Sequence, residues 1–206
     1  MRNESILLIN QPSPLVLSFM AMSVKFHELR DAQSEMRRCN AGGAPGIMVS
    51  GAIWCAGGVT WLTQPTRTAF AVLFVGGMMI FRISSLISRH AFRRTGPTKA
   101  NPLNRLGLEA TAVLFVGLLI AYSLLATTSA ASIPVLAILV GARYFLFDTI
   151  YGDRRFWALG AVIVAIGWMG LQEQAALPLN VACLVGAAEL LVGMLFAWTD
   201  SRRPAH

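Results

Sequence analysis

The chain has 206 residues, of which 55% are hydrophobic and only 13% charged, with mean hydropathy +0.60 and formal net charge +7. A soluble domain carries about 25% charged residues, so a water-soluble globule is excluded. The apolar residues are also blocked into long uncharged runs, from Cys39 to Thr66 and from Ala110 to Ala142, which suit hydrocarbon about 30 Å thick.

The first 22 residues read as a poorly structured leader. Ser5 to Met22 is apolar but broken by Gln11-Pro12-Ser13-Pro14, so neither half spans a bilayer, and an initiation site assigned too early, ahead of Met20 or Met22, would leave such a segment. Residues 23–40 read as an amphipathic helix. Between Val24 and Arg38, Phe26, Leu29 and Met36 fall near one face, which fits either a helix on the cytoplasmic membrane surface or a solvated lead-in to the first span.

Residues 41–200 predict an all-α, polytopic membrane bundle of six transmembrane helices. The spans run from about Ala44 to Leu62, Thr68 to Ser88, Leu106 to Leu125, Ile133 to Tyr151, Phe156 to Leu171 and Leu177 to Thr199, with a tail at 201–206. Pro45 suits a first helical turn, where its missing N–H is not needed, and the glycines at Gly42, Gly43 and Gly46 around it provide a tight helix entry. They lack the Lys-Ser or Lys-Thr of a phosphate loop. Continuous apolar runs without period-two alternation exclude a β-barrel.

An even number of spans puts both termini on one side. That side collects Arg2, Lys25, Arg30, Arg37 and Arg38, then Arg89, Arg93, Arg94, Lys99 and Arg105, then Arg154, Arg155, Arg202 and Arg203, against Arg67 alone on the other. Basic residues mark the cytoplasmic face, so both termini are expected in the cytoplasm, with the protein in a bacterial inner membrane. The bilayer is the expected partner, homo-oligomerisation is left open, and the basic charge interleaves with no aromatic platform for nucleic acid. His27, His90 and His206 are scattered, and Cys39, Cys55 and Cys183 have no metal-ligand spacing, so neither a metal nor a cofactor is expected.

Five charged residues stand within the spans: Arg82, Glu109, Arg143, Asp148 and Glu189. An ion in the bilayer costs several kcal/mol unless it is paired, hydrated or functional, so these are the binding or ion-pair candidates, together with Tyr144. At about 1.5 Å per residue, Arg143 and Glu189 lie roughly 15 and 18 Å below the outer edge, near the midplane. Arg82 and Asp148 lie about 21 and 22 Å down, and Glu109 about 5 Å above the cytoplasmic edge. Depth therefore pairs Arg143 with Glu189, and Arg82 with Asp148 or Glu109. Tyr144, Asp148 and Tyr151 share a helix face.

A faint internal match, Val116 to Ser123 against Val192 to Thr199, raises a 3+3 inverted repeat of the kind found in transporters. A second likeness is broader. Gly43-Ala44-Pro45-Gly46, Val49-Ser50-Gly51, Trp54, Phe70 to Phe74, Gly76-Gly77-Met78, Asn101-Pro102-Leu103, Leu108-Glu109 and Gly141-Ala142-Arg143-Tyr144 through Tyr151-Gly152 resemble a bacterial membrane-protein family classed only as a domain of unknown function. The resemblance covers about Asp31 to Gly170 and brings no activity. It implies a proline where Arg82 stands and a small residue where Asp148 stands, which would make these two a private ion pair, with Glu109 and Arg143 part of the shared scaffold.

Three functions fit. A small transporter or channel-like protein would use Arg143 to bind an anionic group and Glu189 to carry a proton. An intramembrane enzyme acting on a lipid or isoprenoid would use Glu109, Asp148 or Glu189 as acid or base. A non-catalytic membrane subunit needs no site, and no catalytic motif favours the enzyme.

Overall fold

A computed structural model describes residues 14–90, 96, 98, 100–172 and 179–201. Among them the elements are α1 (Pro14–Cys39), a 3-10 turn at Ala41–Gly43, α2 (Ala44–Thr63), α3 (Thr66–His90), α4 (Leu103–Thr127), α5 (Ser129–Tyr151), α6 (Arg155–Gln172) and α7 (Val181–Ser201), with no strand. The six helices α2 to α7 are long and apolar enough to cross a membrane, matching the six expected spans. The chain is a multi-pass helical membrane protein. Expectations for residues 1–13, for most of the loop after His90, for residues 173–178 and for the tail from 202 lie outside the described residues.

Two boundaries differ from expectation for local reasons. Helix α1 begins at Pro14, inside the segment read as an unstructured leader; proline is favourable in a first turn, and no breaker follows it before Cys39. Of its expected apolar face, Met36 is buried against Leu103 and Ile150, whereas Phe26 and Leu29 are exposed. Helix α5 starts at Ser129 rather than Ile133. Only Thr128 leaves helical geometry there, at φ −141°, and the Ser132 hydroxyl donates back to the Ser129 carbonyl oxygen, because small residues without glycine or proline need no longer break.

The turn from α1 into α2 follows the glycines. Gly42 and Gly43 adopt φ of 61° and 86°, and a Cβ on Gly43 would come within 2.9 Å of the Phe156 ring, so both the conformation and the close approach require glycine.

Helix α2 packs chiefly on α7 and α3, and α5 chiefly on α6 and α4, so the two halves share a pattern of neighbours, with α3–α4 and α6–α7 contacts slighter. Small residues set the closest approaches. A Cβ on Gly186 would lie 2.6 Å from the Cys55 backbone nitrogen, and one on Gly141 would lie 2.9 Å from the Gly160 carbonyl oxygen. Two asparagines clamp the ends. Asn101 accepts from the Leu103 N–H at the start of α4 while donating to the Ala32 carbonyl and Glu35; Asn180 accepts from the Cys183 N–H while donating to the Gly58 carbonyl of α2. The outer faces of α3 and α4 carry Phe81, Leu108 and Leu119 in the open, an arrangement stable only against lipid.

Candidate functional site within the bundle

Glu189 lies near the middle of α7 and is completely buried, and the 5%-exposed Tyr144 of α5 donates its phenolic O–H to Glu189 Oε1 at 2.8 Å. Ser50 of α2 borders both groups without completing a hydrogen bond to Glu189 Oε2, which has no partner. Three helices therefore meet on one carboxyl group. The close approach of α2 and α7 brings Ser50 there: a Cβ on the adjacent Gly51 would lie 3.0 Å from the Glu189 Cβ.

Arg143 precedes Tyr144 by one residue and so points about 100° away around the helix. It turns towards α4, where an Nη2–H donates to the Thr111 hydroxyl at 3.4 Å and the guanidinium lies 5.0 Å from the Phe147 ring centre. Its Nε–H is buried without a partner. The depth-based expectation of an Arg143–Glu189 ion pair is thus corrected by azimuth. The two share a level but face different neighbours, and Tyr144 takes the place the arginine was expected to hold.

The other charged candidates are placed apart from this centre. Glu109 is exposed and pairs with Arg105 one turn earlier at 2.9 Å, a contact worth about 0.3–0.5 kcal/mol. Arg82 is exposed on α3 and Asp148 is half-buried on α5, and among the described residues neither makes an ion pair, so the private pair expected of them does not form. Helix α3 touches α5 only slightly, which keeps Arg82 on the outer face.

An aromatic cluster closes the site towards the basic end of the bundle. Phe156 is fully buried, with ring centres of Tyr151 and Phe196 at 5.1 Å, Phe147 at 5.7 Å and Tyr144 at 6.3 Å. The sequence singled out Glu189, Arg143 and Tyr144, but carried Ser50 only within the Val49-Ser50-Gly51 stretch of the family resemblance and missed the Phe147–Phe156–Phe196 cluster. Ser50, Phe147 and Phe156 stand beside Gly51, Asp148 and Arg155, whereas Phe196, between Leu195 and Ala197, carries no such signal.

The fold and this centre define a polytopic helical membrane protein with a buried, hydrogen-bonded carboxyl group at mid-span. A family described as a family of unknown function (DUF7010) matches residues 29–199, and the chain belongs to it. The match takes in α7 and Glu189, beyond the Asp31 to Gly170 stretch of the sequence resemblance. No curated protein and no solved structure matches the chain.

Proposed function

We propose that the protein is a small transporter whose cycle turns on protonation of Glu189. The observation that carries this is a completely buried carboxyl group held on one oxygen by Tyr144 while the other lacks a partner. An unpaired intramembrane carboxyl that must exchange its proton to change charge is the usual element of a proton relay. Arg143, at the same level with an unpartnered buried N–H, supplies the group that recognises an anionic substrate. The shared neighbour pattern of α2 and α5 supports a two-half architecture, with the centre between halves. The aromatic cluster round Phe156 acts as the closed gate on the basic side, which we take as cytoplasmic, in a bacterial inner membrane. The alternative of an enzyme acting on a lipid or isoprenoid would use converging acids, and among the described residues no second carboxyl hydrogen-bonds with Glu189 or Tyr144.

The test is proton flux in proteoliposomes under an imposed potassium-diffusion potential, read with an internal pH dye. Wild type is expected to acidify or alkalinise the lumen according to the sign of the potential, and Glu189→Gln to abolish the flux while remaining folded. Flux no greater than in empty vesicles, or unchanged in Glu189→Gln, overturns the proposal.

A further inference from the structure

We propose that the basic end of the bundle carries a specific site for the phosphate of an anionic lipid, formed by Arg37 and Arg154 at the turn between α5 and α6. A polar recess of about 380 Å³ is lined there by Arg37, Gly152, Asp153, Arg154 and Arg155. It stands independently of the transport proposal.

The five residues have distinct parts. Arg155 is committed to the protein. Its Nε–H and Nη2–H donate to Asp153, its Nη1–H donates to the Thr199 hydroxyl at 2.9 Å, and its guanidinium lies 4.0 Å from the Phe196 ring centre. That pairing neutralises Asp153 and fixes one wall. Asp153 also caps α6, accepting the Arg155 backbone N–H at 3.1 Å, so the helix end offers few open amides and the side chains must hold the anion.

Arg37 is positioned from α1. One Nη donates to the Tyr151 carbonyl oxygen, and its neighbour Gln33 donates to the Thr149 carbonyl at 2.8 Å, which fastens α1 across the end of α5 and holds the Arg37 side chain in the wall of the recess. Gly152 makes that approach sterically feasible. It adopts φ of 60°, and a Cβ there would come within 2.9 Å of the Arg37 guanidinium and 2.5 Å of the Gln33 amide oxygen. Arg154 is exposed opposite and makes no ion pair among the described residues.

Two guanidinium groups not neutralised by a carboxylate thus border one recess, a geometry suited to bidentate phosphate binding. Its location chooses the source. The recess lies between the last residue of one span, Tyr151, and the first residues of the next, and Trp157, 55% exposed two residues beyond Arg155, sets its ring centre 4.5 Å from that of Phe145 in a tilted pair, as expected of an aromatic side chain at the headgroup level.

The experiment is native mass spectrometry of the full chain released from nanodiscs of phosphatidylcholine mixed with phosphatidylglycerol, counting retained phosphatidylglycerol. Wild type is expected to retain it selectively, and Arg37→Gln and Arg154→Gln each to lower retention about fivefold. Arg154→Lys, which keeps the charge on an exposed side chain, should retain most of it, and Arg89→Gln, an exposed arginine elsewhere on the same end, should not change it. Equal loss in Arg89→Gln would show a diffuse surface charge and overturn the site, as would unchanged retention in Arg154→Gln. Inorganic phosphate forms the second arm. Displacement of the lipid by millimolar phosphate would assign the recess to a free anion and overturn the lipid, whereas persistence of the lipid supports it.

Discussion

The Tyr144 hydroxyl and the Glu189 carboxyl, on α5 and α7, make a 2.8 Å hydrogen bond 45 residues apart in the chain. It holds one oxygen of the fully buried acid, while Ser50 of α2 borders the same group, so α2, α5 and α7 are tied together at this carboxyl. Tyr144→Phe should remove the donor from Glu189 Oε1 and cost about 1–3 kcal/mol, the penalty for stranding a buried polar group. Thermal unfolding in detergent checks this, and Tyr144→Phe combined with Glu189→Gln should cost less than the sum of the two single changes.

Arg143 supplies the contrasting cycle. Because its side chain runs to Thr111 and Phe147, Arg143→Ala and Glu189→Gln should show a coupling smaller than that between Tyr144 and Glu189. The same unfolding measurement decides it, and a larger coupling would mean that the two charges meet directly after all.

Glycine packing separates two positions that look alike in sequence. Gly186→Ala places a methyl group 2.6 Å from the Cys55 backbone nitrogen and should destabilise by about 1–3 kcal/mol, since backbone cannot yield as a side-chain tip does. Gly77→Ala meets nothing within 4 Å and should instead stabilise α3 by about 0.5–1 kcal/mol. Comparison of the two melting temperatures checks the expected opposite signs.

Glu35 gives a pH dependence at the clasp between α1 and the start of α4. Its carboxylate accepts the Thr98 backbone N–H at 2.7 Å and the Asn101 amide at 2.8 Å, contacts that hold its pKa below the usual glutamate range. A depressed folded pKa means that the contribution to stability is fully present above the unfolded pKa and disappears as pH falls through the folded one. Hydrogen exchange at the Thr98 amide should therefore rise, after correction for intrinsic rates, as the medium is acidified below the ordinary carboxylate range. Glu35→Gln should remove that dependence.

The orientation assigned from the basic residues is tested by a cysteine at Arg89. Arg89→Cys, at the exposed end of α3, should react with a membrane-impermeant maleimide in inverted vesicles and not in intact cells. The reverse result would turn the whole protein over.

The spans were legible in the sequence because charge-free runs of span length have few alternative fates, and the turn into α2 was legible because consecutive glycines precede Pro45. The start of α1 was not, since the same Gln-Pro-Ser-Pro stretch that breaks a span also begins a helix at Pro14. At the site, depth along each helix put Glu189 and Arg143 near the midplane, and the structure buries Glu189 completely and Arg143 in part. Their partners were hidden because pairing depends on rotation about the helix axis, which depth does not contain. Glu109 shows the converse. Its partner is one turn away on its own helix at Arg105, an i, i+4 spacing visible in the sequence, whereas depth points only across spans.

The tight α2–α7 seam joins the earliest transmembrane helix to the latest. Asn180 reaches the Gly58 carbonyl across 122 residues, so α2 lacks its main neighbour until almost the entire chain has been synthesised. At ribosomal speeds of about 5–20 residues per second, that interval is roughly 6–24 s. During it the glycine-lined flank of α2, with Ser50 upon it, lies against lipid or against the insertion machinery. A ribosome stalled before Val181 would leave a nascent protein whose first span is packed on α3 but bare on its α7-facing flank, and quality control that recognises uncovered small-residue flanks would meet it there.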